Sequence, residues 1–326
     1  MFRRTWKQIK ILIAVVVIII CIPRSILPHT GGGEPDIDNY MKLNDAEKRL
    51  EEYRDDRQSL ELKLQQLEII NASRKRFNAK PVKLDILASR VANKMSREAA
   101  EGNFLGHWNL RGEKPYHRYA FAGGYDHVSE NAYGEWSNMD YKNSPETISS
   151  LMKAGHQTFM KEKAPNDGHK KTVINKDHNY VGIGYSLEGK QFRYYEEFID
   201  RYLTFSDIPS GARKGENTSI TVGTDGNEFL YFMIVYYEKD PSPMNAREIS
   251  RRSSYDDFTG SVYREAWAWD LSKYRKGNTY KIPLVFNKEG LYYIQLYTDR
   301  KEITRPGSLD TKGKTPRSGI VIKVTG

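Results

Sequence analysis

The chain of 326 residues is long enough for two domains of ordinary size, and its hydrophobic fraction of 38% includes many aromatic residues for their cores. The net charge of +9 is spread along the sequence, without a basic stripe interleaved with aromatics, so nucleic acid is excluded as an expected partner. Cys21 is the one cysteine, which excludes an intramolecular disulfide.

The N-terminal residues have the pattern of a membrane segment. Residues 1–8 form a cationic tail, and residues 9–27 are dominated by apolar side chains. This pattern fits either an uncleaved single-pass anchor or a cleaved signal segment. The anchor is favoured because no small-residue cleavage site follows the apolar run. The tail is then cytoplasmic and the main domains are extracytoplasmic. If the segment is cleaved, the protein is secreted.

A linker and a helical stalk are predicted next. Residues 28–40 are rich in glycine and proline and are predicted to be a flexible linker. In residues 41–61 and just beyond, one heptad position is occupied by Leu43, Leu50, Arg57 and Leu64, and another by Ala46, Tyr53, Leu60 and Leu67. This coiled-coil-like stripe predicts one helix, which serves as a stalk or lies against the following domain. Stable self-association is disfavoured because the stripe is short.

Residues 62–204 are predicted to form an α+β domain. An amphipathic helix is predicted over residues 84–100 and ends at Gly102, and a second one begins at Pro145. Two strands follow, in residues 180–189 and 191–205, joined by a hairpin turn that contains glycine.

The remaining chain changes character. Residues 205–217 are predicted to be a second linker. Residues 218–326 contain short alternating runs separated by turn clusters, which predicts an all-β sandwich of immunoglobulin-like type. No titratable cluster stands out there. We therefore expect this domain to be a spacer or a module that contacts a cell-surface polymer or protein.

Two polar loops of residues 62–204 carry a set of motifs. The first loop contains Phe104, His107, Gly112, Pro115, Arg118, Gly124-Tyr125 and Ser129-Glu130-Asn131. Further along are Gly168-His169-Lys170 and Val181-Gly-Ile-Gly184. In this order and spacing, the motifs resemble the CAP superfamily (cysteine-rich secretory protein, antigen 5, pathogenesis-related 1), and more closely its bacterial SCP-like branch. The family's Gly-Glu-Asn motif begins with serine here, and its Gly-His-Arg motif ends with lysine.

The resemblance implies a three-layer α-β-α sandwich with a cleft that contains two histidines and two acidic residues. By that resemblance, the cleft contains His107, Glu130 and His169. Glu162 is the fourth member if the preceding aromatic residue takes the place of the family's tryptophan, and Glu197 stays open as an alternative. In several family members the histidines bind a divalent metal ion, so zinc or another divalent metal is expected at His107 and His169.

The histidines and glutamates of such a cleft are suited to binding a metal ion and exchanging protons. Two neutral imidazoles make half of a tetrahedral zinc site, which a carboxylate and water complete. The glutamates are expected to raise the pKa of the histidines, so that protons and metal compete near neutral pH. With a metal-bound water, Glu130 is the candidate general base of a hydrolase. The structural alternative is a His–Glu network that only braces the loops.

Four further polar residues have structural roles in this interpretation. Arg118 and Asn131 are expected to brace the loops through hydrogen bonds. His156 is expected on a helix surface or in packing, and His178 in a turn.

The sequence therefore predicts a membrane-anchored extracytoplasmic protein whose cleft binds a small or lipid-like ligand, with a divalent metal as an expected participant. The alternative is a metal-assisted hydrolase that acts on peptides or cell-wall material through Glu130. A second alternative is a structural surface protein. Binding is favoured because the cleft lacks an obvious activated nucleophile.

Overall fold

The computed structural model describes residues 36–252, 254–255 and 260–326. The predicted cytoplasmic tail, the predicted anchor or signal segment with Cys21, and the first part of the predicted linker lie outside the described residues. None of the helices that the structure describes is long and apolar enough to cross a membrane.

The heptad stripe does not form one helix. Helix α1 (Ile37–Ala46) and helix α2 (Arg57–Arg76) are separated by a short 3-10 turn. The prediction of a continuous helix is wrong because Asp56 caps a new helix, accepting a hydrogen bond from the backbone N–H of Ser59. The stripe leucines of α2 are buried in the core that the sheet and the helices share. Helix α2 thus lies against the domain.

The first sheet lies at the centre of the N-terminal part. Its strands are β1 (Lys83–Leu84), β2 (His127–Trp136), β3 (Tyr180–Glu188) and β4 (Gln191–Asp200), in the order β1-β3-β4-β2. Strand β1 is parallel to β3, and the other pairs are antiparallel. The hairpin between β3 and β4 turns at Gly189, whose positive φ of 53° favours glycine.

Helices cover both faces of this sheet. Besides α2, they are α3 (Ile86–Glu101), α4 (Pro115–Phe121), α5 (Pro145–Lys161) and α6 (Gly168–Ile174). Helices α2 and α5 share a core with one face, which includes Tyr194 and Phe198 of β4. Helix α3 packs on the other face, where Tyr195 of β4 lies among its alanines and Met95. The arrangement is consistent with the expected α-β-α layers.

Helix α3 approaches β3 closely because β3 contains two glycines on the facing side. A Cβ atom on Gly182 would lie 2.3 Å from the carbonyl carbon of Ala88, and one on Gly184 would lie 2.1 Å from that of Ala92. Both distances are far below van der Waals contact. The Val-Gly-Ile-Gly motif therefore has a packing role: it allows a helix backbone to lie directly on the strand.

The C-terminal part contains two further sheets. Their strands are β5 (Thr204–Ser206), β6 (Ala212–Arg213), β7 (Asn217–Gly223), β8 (Phe229–Glu238), β9 (Ser261–Trp267), β10 (Arg275–Lys276), β11 (Thr279–Val285), β12 (Gly290–Asp299) and β13 (Ile320–Thr325). One sheet has the order β10-β11-β7-β5 and the other β6-β13-β12-β8-β9. Apolar residues from both sheets share one core. The segment predicted as a linker, residues 205–217, contributes strand residues to both sheets.

The connection from β8 to β9 packs against the first part of the chain. It contains the short helix α7 (Ala246–Ser250), whose Ile249 is fully buried beside Phe104 and Trp108. The backbone N–H of Met244 in the same connection donates to the carbonyl of Leu110 over 2.9 Å. The C-terminal part therefore covers the loop in which the first sequence motifs lie.

Candidate functional site

His107 lies in the loop between α3 and α4 and is buried, with 7% of its surface exposed. Its Nδ1 atom is 2.8 Å from Oε1 of Glu130, which β2 contributes from the edge of the sheet. A carboxylate can only accept a hydrogen bond, so Nδ1 carries the hydrogen and the lone pair is on Nε2. His107 is thus fixed in the tautomer that can bind a metal ion or an acidic proton through Nε2.

Arg118 on α4 connects this pair to the surrounding loop. One terminal nitrogen donates to Oε2 of Glu130. The other donates to the carbonyl of His107 over 2.6 Å and to that of Glu113 over 3.2 Å. The expected bracing role of Arg118 is confirmed. In addition, both carboxylate oxygens of Glu130 are occupied, one by His107 and one by Arg118.

Glu197 is a second buried carboxyl group beside Glu130. The two glutamates are register partners on the adjacent strands β4 and β2. Glu197 is 1% exposed, its oxygens have no hydrogen-bonding donor among the residues that the structure describes, and Arg118 is 3.6 Å away. Burial, and then the charge of Glu130, raise the pKa of Glu197 well above its usual range. Burial also raises the pKa of Glu130, opposed by Arg118. Of the two carboxyl groups, Glu197 therefore has the stronger tendency to keep its proton.

The expectation that the glutamates raise the pKa of both histidines is wrong for His107. Burial, and then the charge of Arg118, lower the pKa of His107 to about 4. The physical reason is that the imidazolium form would be desolvated beside a guanidinium group. His107 is therefore neutral at physiological pH, and protons compete with a metal ion at this imidazole only in acid.

His169 lies at the start of α6 and is held by Glu162, the residue that ends α5. The Nδ1 atom of His169 is 2.5 Å from Oε1 of Glu162, and the backbone N–H of His169 donates to Oε2 over 3.0 Å. The ring stacks on Phe159, with 4.9 Å between centroids. Asn131 braces the same loop by donating to the carbonyl of His169 over 3.1 Å, as expected.

The structure thus brings the four predicted cleft residues together as two His–Glu pairs. The ring centroids of His107 and His169 are 6.2 Å apart. Each Nδ1 faces a carboxylate, so Nε2 is the ring atom whose lone pair can coordinate a metal ion. Within the described ranges, no group of three or more His, Cys, Asp or Glu side chains is arranged to hold a metal ion. The residues present fit two protein ligands of a metal ion and supply no third.

Tyr255 is a site residue that the sequence did not indicate. It belongs to the connection between β8 and β9, and its ring centroid is 4.8 Å from that of His107. Its hydroxyl oxygen accepts a hydrogen bond from the backbone N–H of Glu130 over 2.9 Å. Tyr255 and Glu130 are 125 positions apart in the sequence, and no local pattern indicates that they meet.

Two other histidines lie in buried polar networks. His156 is 1% exposed, with Nδ1 2.8 Å from Glu196 and Nε2 2.9 Å from the hydroxyl of Ser73. It is therefore buried between helices and sheet and does not lie on a helix surface. His178, predicted to be a turn residue, is also 1% exposed and places Nδ1 2.6 Å from Asp200. Both histidines are therefore placed by burial in the interior. For His178, the turn-like sequence around it gave no indication of this burial.

The fold can be compared with solved structures. The chain is 19% identical to an extracellular protein containing an SCP domain from Bacillus anthracis, covering 42% of this chain and 39% of that one, with a TM-score of 0.32. It is 16% identical to an outer surface protein from Borrelia burgdorferi, covering 52% of this chain and 98% of that one, with a TM-score of 0.33. A cysteine-rich secretory protein from Staphylococcus aureus is 17% identical, covering 42% and 38%, with a TM-score of 0.27.

The chain spans less than two fifths of the Bacillus and Staphylococcus structures. Because all three TM-scores lie well below 0.5, the overlap supports no statement about activity. No protein-family model and no curated protein matches the chain.

Proposed function

We propose that the protein is an extracytoplasmic CAP-type protein whose His107 and His169 bind a divalent metal ion, and through it an oxygen-bearing ligand. The observation that carries the proposal is the paired orientation of the two rings. Each Nδ1 atom faces its own glutamate, and the ring centroids are 6.2 Å apart. Both Nε2 lone pairs are therefore left by the glutamates, and the proposal assigns them one common occupant.

The donor set is suited to zinc and predicts modest affinity. Imidazole nitrogen is a preferred zinc ligand, and glutamates that hold the opposite ring nitrogen make the imidazoles more basic towards the metal. His107 is neutral at physiological pH, since its pKa is lowered to about 4, so no proton has to leave this ring when a metal ion binds. A bound zinc ion would supply a Lewis acid that attracts an oxygen of the ligand.

The hydrolase alternative requires Glu130 to act as a general base. Both oxygens of Glu130 are already used by His107 and Arg118, and the residue is 4% exposed. A carboxylate in this position is a poor general base, because hydrogen bonds to both oxygens stabilise its ionised form and burial limits the access of water. This geometry favours a positioning role for Glu130 and supports binding over hydrolysis.

Three finer parts of the proposal are independent of the metal site. The N-terminal segment is proposed to anchor the protein in a membrane, with the described residues on the outer side. The ligand is proposed to be small and lipid-like. The C-terminal two-sheet part is proposed to be an immunoglobulin-like sandwich that contacts a cell-surface polymer or protein. A ligand that co-purifies from the native source, identified by mass spectrometry, would test the second part.

Zinc titration by calorimetry of the full-length chain tests the metal site. The native protein is expected to bind one zinc ion per chain with micromolar affinity, and His169→Ala is expected to lose this binding. Lys171→Ala, which removes a mostly exposed side chain from the same helix, is the matched control and should bind as the native protein does. Equal zinc affinity in all three proteins would refute the metal proposal and leave the two His–Glu pairs as a brace.

A further inference from the structure

Ser73, His156 and Glu196 form a chain of two hydrogen bonds outside the His107–His169 site. The Oγ atom of Ser73 on α2 is 2.9 Å from Nε2 of His156 on α5. Nδ1 of the same imidazole is 2.8 Å from Oε1 of Glu196 on β4. Both distances are those of the hydrogen bonds that connect a nucleophile, a general base and an orienting carboxylate.

The tautomer of His156 fixes the direction of these hydrogen bonds. Glu196 can only accept while ionised, so Nδ1 of His156 carries the hydrogen. Nε2 is then the acceptor, and the hydroxyl of Ser73 is the donor. Glu196 is held in place by two further donors: the hydroxyl of Tyr194, over 2.6 Å, and the side-chain amide of Asn131, over 3.3 Å. The carboxylate therefore orients the imidazole towards Ser73.

The hydroxyl of Ser73 behaves differently from three other hydroxyls in the helices. Ser89, Thr158 and Thr172 each donate to the backbone carbonyl four residues earlier in their own helix. This is the ordinary bond of a serine or threonine inside a helix. Ser73 instead contacts an imidazole from a different helix, 83 residues away in sequence. The orientation of its hydroxyl is thus set by a contact with another helix and not by the backbone of its own helix.

The exposed fraction of the three side chains increases from the carboxylate through the imidazole to the hydroxyl, so the nucleophile is the group that a substrate can reach. Glu196 is fully buried and His156 is 1% exposed, whereas Ser73 is half-buried and reaches the surface. Phe77 follows Ser73 by one helical turn and is 40% exposed. The ammonium group of Lys170 is 5.1 Å from the centroid of the Phe77 ring. An exposed aromatic ring with a cation beside it therefore lies one helical turn from Ser73.

We propose that Ser73 and His156 form an acyl-transfer site for esters with an apolar acyl group, with Glu196 as the positioning residue. The Oγ atom of Ser73 bonds to the carbonyl carbon, and its proton passes to Nε2 of His156. The bond from that carbon to the leaving oxygen breaks, and the alcohol takes the proton. Water then attacks the acyl-serine, giving one proton to Ser73 through His156 and releasing the acid.

Covalent labelling with a fluorophosphonate, which loses fluoride as it bonds to an activated serine, tests the proposal on the full-length chain. The expected result is one label per chain, located on Ser73 by peptide mass spectrometry, and no label on Ser73→Ala. Ser59→Ala is the matched control: Ser59 is a half-buried serine on the same helix that contacts the hydroxyl of Tyr185. It should be labelled at the native rate.

The roles of the other two residues are separated by rate and pH. His156→Gln is expected to slow labelling at least about 100-fold, the usual contribution of a general base. Glu196→Gln is expected to move the inflection of the rate–pH profile to lower pH, because the carboxylate no longer stabilises the imidazolium. A purely structural role for Glu196 would leave that inflection in place. Thermal melting is recorded for each variant to confirm folding.

Two outcomes overturn the proposal: no label on Ser73 in the native protein, or labelling of Ser73 at the native rate in folded His156→Gln. If His156→Gln does not fold, the pair Ser73→Ala and Ser59→Ala still decides. The native protein should be labelled at the same rate with and without EDTA, so a failure of the metal site leaves this result unaffected.

Discussion

The two faces of β4 carry adjacent glutamates that are equally buried and differently stabilised. Glu196 faces α5, and three side chains donate hydrogen bonds to it. Glu197 faces the opposite side, where its register partner is another carboxyl group and the nearest cation is shared with that group. Burial alone therefore does not decide the charge of a carboxyl group: the donors around it do.

Removing the shared cation should have the largest effect on the Glu197 face. Arg118→Met leaves Glu130 and Glu197 buried without a positive charge and also frees the carbonyls of His107 and Glu113. We expect a loss of about 3–5 kcal/mol in the free energy of unfolding, measured with urea at neutral pH. Arg111→Met, in the same loop but exposed, is the control. A loss below about 1 kcal/mol would contradict the assigned role of Arg118.

The buried imidazole on that face should make stability depend on pH. The folded pKa of His107, about 4, lies below its ordinary value of 6.5. The unfolded chain therefore binds a proton first as pH falls, and the contribution of His107 is present above pH 6.5 and lost towards pH 4. The loss between pH 7 and pH 5 is about 2 kcal/mol. The difference in pH slope between native protein and His107→Gln measures it, and identical slopes would contradict it.

The same substitution on neighbouring residues tests the comparison directly. Glu196→Gln should cost about 1–3 kcal/mol, because the hydrogen bonds of His156 and Tyr194 lose a charged acceptor. Glu197→Gln should change stability little in weak acid, where Glu197 is protonated. The raised pKa of Glu197 means that its contribution is present below pH 4.5 and is lost as pH rises through its folded pKa.

At alkaline pH, Glu197→Gln should therefore become more stable relative to the native protein, since the neutral amide does not ionise beside Glu130. Unfolding with urea across a pH series measures both variants. Equal effects of the two substitutions at every pH would show that the faces do not differ.

The smallest expected effect concerns the contact from the C-terminal part. Tyr255→Phe removes the hydroxyl oxygen that accepts from the backbone N–H of Glu130. One backbone donor then lacks its partner, which should cost about 1 kcal/mol. The measurement is thermal unfolding, with Tyr237→Phe in the two-sheet part as the control for a lost tyrosine hydroxyl. A larger loss in the control would contradict the special position of Tyr255.

Regular elements were predictable because their signals are local. The periodicity of residues 84–100 and the glycine that follows predicted α3, and Pro145 marked the start of α5. The heptad stripe failed because it continues through two helices, although Asp56 before Arg57 is itself a helix-start signal. The motif order identified the two His–Glu pairs, and Glu162 was reached only through the family resemblance.

What the sequence could not predict depends on burial and on distant contacts. The lowered pKa of His107 results from desolvation and from Arg118, and neither can be read from spacing. Glu197 and Glu130 become partners through strand register. Ser73 and His156 meet because α2 packs against α5. Tyr255 comes from the connection between β8 and β9 in the C-terminal part.

The packing of the β8–β9 connection also limits how the two parts of the chain can be exchanged. Ile249 fills space beside Phe104 and Trp108, and Tyr255 contacts the backbone of Glu130. A hybrid that received its two-sheet part from another protein would lose these contacts unless residues 239–260 were transferred with the N-terminal part. The two parts therefore cannot be exchanged independently. A substitution in the N-terminal part must be compatible with the surface that the C-terminal part packs against it, and the reverse also holds.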